Sequence, residues 1–294
     1  MRLSAATLAA LADAGLDPVA VADLASRAIA EDLDGGVDVT SVATVPADLQ
    51  GTALFVARSA GTVTGIAVAM AVLDAVAAPG ELTLTATPDG RPVAAGETVL
   101  EARGPVRSLL TAERSALNLL CHLSGVATLT RRWVDAVEGT GARIRDTRKT
   151  TPGLRALEKY AVRAGGGVNH RMSLSDAALV KDNHVVAAGG VAEAFEAVRD
   201  AFPGLAVEVE CDTVQQVREV LAAGADLVLL DNMTDADLRT AVGLCRGRRV
   251  LTEASGGLSL AVARAVAETG VDYLAVGALT HSAPVLDVGV DLCS

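Results

Sequence analysis

The chain has 294 residues, 51% of them hydrophobic but only 2% aromatic. That length suits two domains or one large one, with a core of Ala, Val and Leu rather than rings. A net charge of −11 argues against nucleic acid and anionic membrane as partners, and no apolar run approaches the ~20 residues of a membrane helix.

Taken in chain order, Arg2 precedes an apolar stretch that Asp13 and Asp17 interrupt, so an amphipathic helix is expected there, not a signal peptide. Helical periodicity runs over 18–33, with Asp17 as N-cap and Gly35-Gly36 as the stop. Strands are expected over 52–58, 82–87 and 98–103, with a helix over 66–77. Asp89-Gly90 and Gly96-Glu97 mark turns. The stretch 89–104 resembles the strand-turn pattern of lipoyl-type domains, but no lysine precedes Lys149, so this region reads as scaffold. Pro105 opens a helix containing Leu109, Leu110, Leu117 and Leu120. Ser124-Gly125 is expected to end it before a second helix over 127–137.

From Ala142 onward, short β-branched strands alternate with Ala-rich helices. The expected strands are 143–147, 178–181, 206–210, 227–230, 250–253 and 273–276. The alternation predicts parallel βα units. Six strands fall short of eight, so an atypical, incomplete α/β barrel is expected, with an open doubly wound sheet as the alternative. Each strand ends on polar or special residues: Asp146-Thr147-Arg148, Lys181, Glu210, Asp231-Asn232, Ser255-Gly256-Gly257 and Gly277. Carboxyl ends of strands carry the chemistry of α/β barrels.

The three lysines, Lys149, Lys159 and Lys181, lie close together with Arg143, Arg145, Arg148, Arg155, Arg163 and Arg171. A cationic stretch in an acidic chain points to a small, multiply charged anion. The competing reading pairs these cations with Asp146, Glu158, Asp176 and Asp182. Glu208 and Glu210 alternate with valines and so share one strand face. With Asp231 they suit ribose hydroxyls or Mg²⁺; an internal salt bridge to Lys181 is the other reading. The glycines after Ser255 and Val276 allow backbone N–H groups to approach a phosphate. Cys121, Cys211, Cys245 and Cys293 show no metal-ligand spacing and read as thiols of a reducing cytoplasm.

The run Asp146-Thr147-Arg148-Lys149-Thr150-Thr151-Pro152-Gly153, then Gly165-Gly166-Gly167-Val168-Asn169-His170-Arg171 and Leu179-Val180-Lys181-Asp182-Asn183-His184, closely resembles the quinolinate phosphoribosyltransferases. The likeness extends through Glu208-Val209-Glu210, Asp231-Asn232, the Ser255 loop and the Val276 loop. It implies an N-terminal α/β sandwich over 1–116, joined by 284–294, and a barrel over 117–283. It implies a homodimer or higher assembly in which Arg114 serves the neighbouring subunit's quinolinate. Arg148, His170, Arg171 and Lys181 match quinolinate-binding positions, with Thr147 and Lys149 in the same pocket. Glu210 and Asp231 match residues near the ribose and the metal, which they would bind directly or through water. Lys149, Lys181, Glu210 and Asp231 are the implied catalytic set. Ser255, Gly256 and Gly257 with Val276, Gly277 and Ala278 match the phosphate loops, and His281 sits close by. Quinolinate, phosphoribosyl pyrophosphate and Mg²⁺ are the implied ligands, with no organic cofactor. Competing readings are a nicotinate phosphoribosyltransferase, a catalytically dead sensor and a flavin-binding barrel.

Overall fold

The structure, a computed structural model, describes residues 2–293. In chain order the elements are α1 (Ala5–Ala14), α2 (Pro18–Leu33), α3 (Val39–Thr44), β1 (Gln50–Ala57), β2 (Gly61–Thr62), α4 (Ile66–Val76), β3 (Thr83–Ala86), β4 (Pro92–Val93), β5 (Thr98–Pro105), α5 (Val106–Ala136), β6 (Arg143–Arg145), α6 (Arg155–Ala164), β7 (Ala178–Val180), α7 (Asp182–Ala188), α8 (Val191–Ala201), β8 (Val207–Cys211), α9 (Val214–Ala223), β9 (Leu227–Asp231), α10 (Asp235–Arg246), β10 (Leu251–Ser255), α11 (Leu260–Ala267), β11 (Tyr273–Ala275), α12 (Ala278–His281) and β12 (Val288–Cys293). Two compact units form. The first holds the chain up to Leu129, Ala156–Gly165 and the segment from Ser282; the second holds Thr130–Arg155 and Gly166–His281. No single helix among the described residues is long and apolar enough to cross a membrane.

In the first unit an antiparallel sheet runs β12-β1-β5-β3. Its register sets Phe55 opposite Leu100, and both are buried. The C-terminal strand β12 completes the edge by pairing Val288 with Ala57. α4 buries every residue from Ile66 to Leu73, as a helix apolar on all sides must. Its amino end is held by the Asp89 carboxylate, which accepts the N–H groups of Gly65 (3.0 Å) and Ile66 (3.1 Å) and the Tyr160 hydroxyl (2.8 Å). Burial pushes the Asp89 carboxyl above its ordinary range despite these donors. α2 starts as its sequence predicts: Asp17 accepts the Val19 N–H at 2.9 Å.

α5 departs from expectation. It is one helix of 31 residues, unbroken at Ser124-Gly125. Ser124 faces inward, where its hydroxyl accepts the Thr64 N–H (2.9 Å) and donates to the Thr64 carbonyl (3.0 Å). Gly125 is a contact point: a Cβ there would lie 2.2 Å from the Pro284 carbonyl oxygen. These two residues are small for packing, not for termination. Gly125→Ala is therefore expected to destabilise the fold by about 2 kcal/mol, because overpacking outweighs the roughly 1 kcal/mol of helix propensity gained. Thermal unfolding reads this directly, and an unchanged or raised Tm overturns it.

The second unit carries a six-stranded sheet ordered β6-β11-β10-β9-β8-β7, with every pair parallel. Amphipathic helices connect the strands, and good local signals start them. Thr213 and Gln216 form a capping box on α9, and the Thr234 hydroxyl caps α10. Beyond β6, Val168 adds an isolated parallel bridge at Arg145. β7 and β6 remain unpaired with each other among the described residues, so the barrel is incomplete. Parallel order brings all six carboxyl ends to one face, which positions the site.

Candidate active site

A cavity of about 310 Å³ opens at the strand carboxyl ends, lined by Thr147, Arg148, Lys149, His170, Arg171, Leu179, Lys181 and Ser255. Seven of these eight are residues the sequence singled out, brought from the ends of β6, β7 and β10 and the segment before β7. Arg148 Nε is buried with no hydrogen-bond partner among the described residues. Arg171 donates from Nη1 to the Ala177 carbonyl at 2.8 Å. Burial, and then repulsion from Arg148, lower the pKa of Arg171. Guanidinium groups that repel one another in a half-buried cavity are relieved by a bound anion. Of the carboxylates of the competing reading, Glu158 lies 2.8 Å from His122, while Asp176 and Asp182 accept the N–H groups of Met172 (2.6 Å) and Asn183 (2.7 Å), and Asp176 also attracts Arg171.

Lys149 is anchored through its backbone. Its N–H reaches Thr147 Oγ1 at 3.0 Å, and its carbonyl accepts the Thr280 hydroxyl at 2.7 Å. Its side chain lies along Gly277, where a Cβ would sit 2.9 Å from Lys149 Cδ and 3.3 Å from His281 Nε2. The Val276, Gly277 and Ala278 loop, His281 and Lys149 are thus neighbours. Thr280 was missed from sequence because one threonine on a short helix carries no signal.

Glu210 is the penultimate residue of β8, and Asp231 ends the adjacent strand β9. Lys181 Nζ donates to Glu210 Oε2 at 2.5 Å, the salt bridge held open as one reading of the sequence. Asp231 Oδ2 accepts from Asn232 Nδ2 at 2.6 Å, and the Asn232 N–H reaches the Ser255 carbonyl at 3.0 Å. Asn232 adopts a left-handed backbone (φ 51), and Gly256 (φ 87) leaves room for it: a Cβ on Gly256 would lie 2.2 Å from Asn232 Oδ1. Gly257 is also left-handed, at φ 58. These glycines therefore shape the loop beside Asp231.

Under the cavity lies a buried ionic floor that joins His170 and Glu208, both singled out in the sequence, to Arg145 and Glu253. Arg145 Nη1 donates to Glu253 Oε2 at 2.6 Å. His170 Nε2 lies 2.7 Å from Glu208 Oε2 and 3.8 Å from Glu253 Oε1. Its Nδ1 accepts the Arg171 N–H at 2.7 Å. Asp146 accepts the His170 N–H (2.8 Å) and Asn169 Nδ2 (2.5 Å), fixing the segment that carries His170 and Arg171. Burial first, then Glu208, push the Glu253 carboxyl up to about 8, against the pull of Arg145. The alternation of Glu208 and Glu210 signalled a shared face, but not that Glu253 would meet it. Arg114 stands in the first unit, exposed on α5, with no salt bridge among the described residues.

An incomplete parallel barrel with a cationic cavity at its strand ends defines an enzyme of small polyanions. The quinolinate phosphoribosyl transferase C-terminal domain model matches residues 126–291, and the N-terminal domain model matches residues 38–124. The chain is 53% identical over 276 residues to the carboxylating nicotinate-nucleotide pyrophosphorylase of Mycobacterium leprae, covering 93% of this chain and 97% of that protein. It is 46% identical over 205 residues to a probable carboxylating nicotinate-nucleotide pyrophosphorylase of Bacillus subtilis, covering 69% and 71%. The crystal structure of NadC from Streptococcus pyogenes superposes with a TM-score of 0.90 at 39% identity, covering 94% of this chain and 98% of that one. The chain belongs to the quinolinate phosphoribosyltransferase family.

Proposed function

We propose that this enzyme transfers the phosphoribosyl group of phosphoribosyl pyrophosphate to quinolinate, forming nicotinate mononucleotide, pyrophosphate and carbon dioxide in de novo NAD biosynthesis. The observation that carries this reading is the cavity in which Arg148, Lys149, Arg171 and Lys181 converge. Two carboxylates on one small ring match that charge. Arg148 and Arg171 clamp quinolinate, with Thr147, His170 and Lys181 completing its pocket. The glycines after Ser255 and the Val276, Gly277 and Ala278 loop receive the phosphate, near His281. The pyridine nitrogen attacks ribose C1 as pyrophosphate leaves, and Glu210 and Asp231 hold the ribose and stabilise its positive charge. The ring nitrogen becomes cationic, so loss of the 2-carboxylate leaves a carbanion stabilised beside it. Lys149 and His170 are the two candidate donors of the proton that this carbon takes up.

Mg²⁺ fits the carboxylates present. Among the described residues only one oxygen of Glu210 and one of Asp231 is engaged, and hard oxygen donors suit this ion. It would neutralise charge building on the pyrophosphate. We further propose a cytoplasmic homodimer completed by Arg114, with domains over 1–116 plus 284–294 and over 117–283.

The direct test is a product assay with quinolinate, phosphoribosyl pyrophosphate and Mg²⁺. Carbon dioxide and pyrophosphate are expected in equal amounts. Nicotinate is expected to give a kcat/KM lower by at least about 10²-fold, because one missing carboxylate leaves the cations of a half-buried cavity without their anion. Comparable turnover of nicotinate would sink the assignment.

A further inference from the structure

The motif Leu179-Val180-Lys181-Asp182-Asn183-His184 ends on a histidine that does not line the cationic cavity. His184 lines instead the apolar groove beside it, with Leu179, Ala188 and Phe202. Its importance lies in how Lys181 is held. Lys181 stands just beyond β7, a strand of three residues at the end of its sheet. β7 pairs with β8 alone, and the register stops at Val180 opposite Val209. In a parallel pair the N–H groups of successive residues point to opposite sides of the strand. The Ala178 N–H points toward β8, reaching the Ala206 carbonyl at 2.8 Å. The Lys181 N–H, three residues on, therefore points to the open edge, where no strand stands among the described residues.

Packing does little to fix this end. α7 has seven residues, and none of them is buried. A helix so short, with no face in the core, is not stable by itself. Hydrogen bonds at Lys181 join it to β7. The Lys181 carbonyl accepts the N–H groups of His184 (2.8 Å) and Val185 (3.0 Å). The Lys181 N–H, left over by the sheet, is taken by His184 Nδ1 at 2.9 Å. Histidine here has the part that Glu or Gln has at the third position of a capping box. A ring that accepts through Nδ1 serves the backbone and is not a further cation of the site.

We propose that His184 is a positioning residue: by holding the Lys181 N–H at the open edge, it fixes the backbone from which the Lys181 ammonium reaches the cavity. This rests on the reading of that cavity as the quinolinate site. The ion pair of Lys181 Nζ with Glu210 Oε2 cannot do the same work, because the lysine side chain is 48% exposed and such pairs hold weakly. Without the His184 acceptor, the Lys181 N–H turns to water and the first turn of α7 frays. The ammonium then loses its fixed place against a ligand carboxylate, and small misplacements of a charged group are costly for binding and catalysis.

The experiment uses two variants of the full chain. His184→Leu removes the acceptor and keeps an apolar, helix-forming side chain beside the groove; His184→Gln supplies an acceptor again. His184 is exposed, so both are expected to fold. Amide hydrogen exchange at Lys181, read by NMR without ligand, is expected to be at least about tenfold faster in His184→Leu and near parental in His184→Gln. An unchanged rate in His184→Leu overturns the proposal. The Kd for quinolinate, read by calorimetry, is expected to rise about tenfold in His184→Leu and to return to within about twofold of the parent's in His184→Gln. In a Lys181→Ala background, His184→Leu is expected to add less than about twofold, because its effect passes through Lys181. A tenfold loss that persists in that background means that His184 meets the substrate itself and overturns the positioning role, as does a Kd that His184→Leu leaves unchanged. If the parent does not bind quinolinate, the reading of the cavity fails and the positioning role fails with it, while the exchange rates still decide whether His184 holds the Lys181 backbone.

Discussion

Asp231→Asn and Glu210→Gln are each expected to lower turnover by about 10²–10³ while the fold survives. The geometry says why these changes reach chemistry and not stability. Asp231 closes β9 half-exposed, and its one hydrogen bond among the described residues is to the next side chain, Asn232. Asparagine keeps that shape and loses the charge that the proposed reaction sets against a ribose becoming cationic. Glu210 is more constrained, because Lys181 holds Oε2 at 2.5 Å. The lysine side chain is 48% exposed, and an ion pair that open contributes only about 0–1 kcal/mol to stability. A pair so weak as a structural brace makes better sense as two groups held ready for substrate. Steady-state kinetics with varied Mg²⁺, alongside Tm, separate the readings. Unchanged turnover and unchanged Mg²⁺ dependence in Glu210→Gln would return the pair to a merely structural role.

Mixing two inactive chains is expected to restore activity. Arg114→Ala and Lys181→Ala each abolish turnover if Arg114 completes the dicarboxylate clamp of a neighbouring subunit. A mixed dimer then contains one site with both lesions and one with neither. Random exchange between equal amounts of the two homodimers yields about a quarter of parental activity, for independent sites. Arg114 is exposed on α5 and makes no salt bridge among the described residues. Lys181 is the right counterpart because it lines the cavity itself. Mass spectrometry must first confirm the exchange. Exchange without recovered activity means Arg114 does not act across the dimer, and the shared site should be abandoned.

Sequence by itself determined the local grammar of this protein. The Asp17 cap and the extent of α2 were legible, as were all six strands of the parallel sheet to within a residue or two. Period, capping and β-branched runs act over a few residues, so no distant partner is needed to read them. The polar strand ends were legible too, and parallel order then made them neighbours: Thr147, Arg148, Lys149, Lys181 and Ser255 share one cavity. Other features depended on segments far apart in the chain. Gly125 read as a helix end until Pro284 supplied the surface it packs against. The contact of Lys181 with Glu210 arises from the pairing of β7 with β8. The buried floor lay furthest from view, for Arg145 and Glu253 are 108 residues apart and meet only because β11 alone separates their strands. Strand order is a global outcome of packing, and two charges that face each other across it leave no trace in the local pattern of either strand.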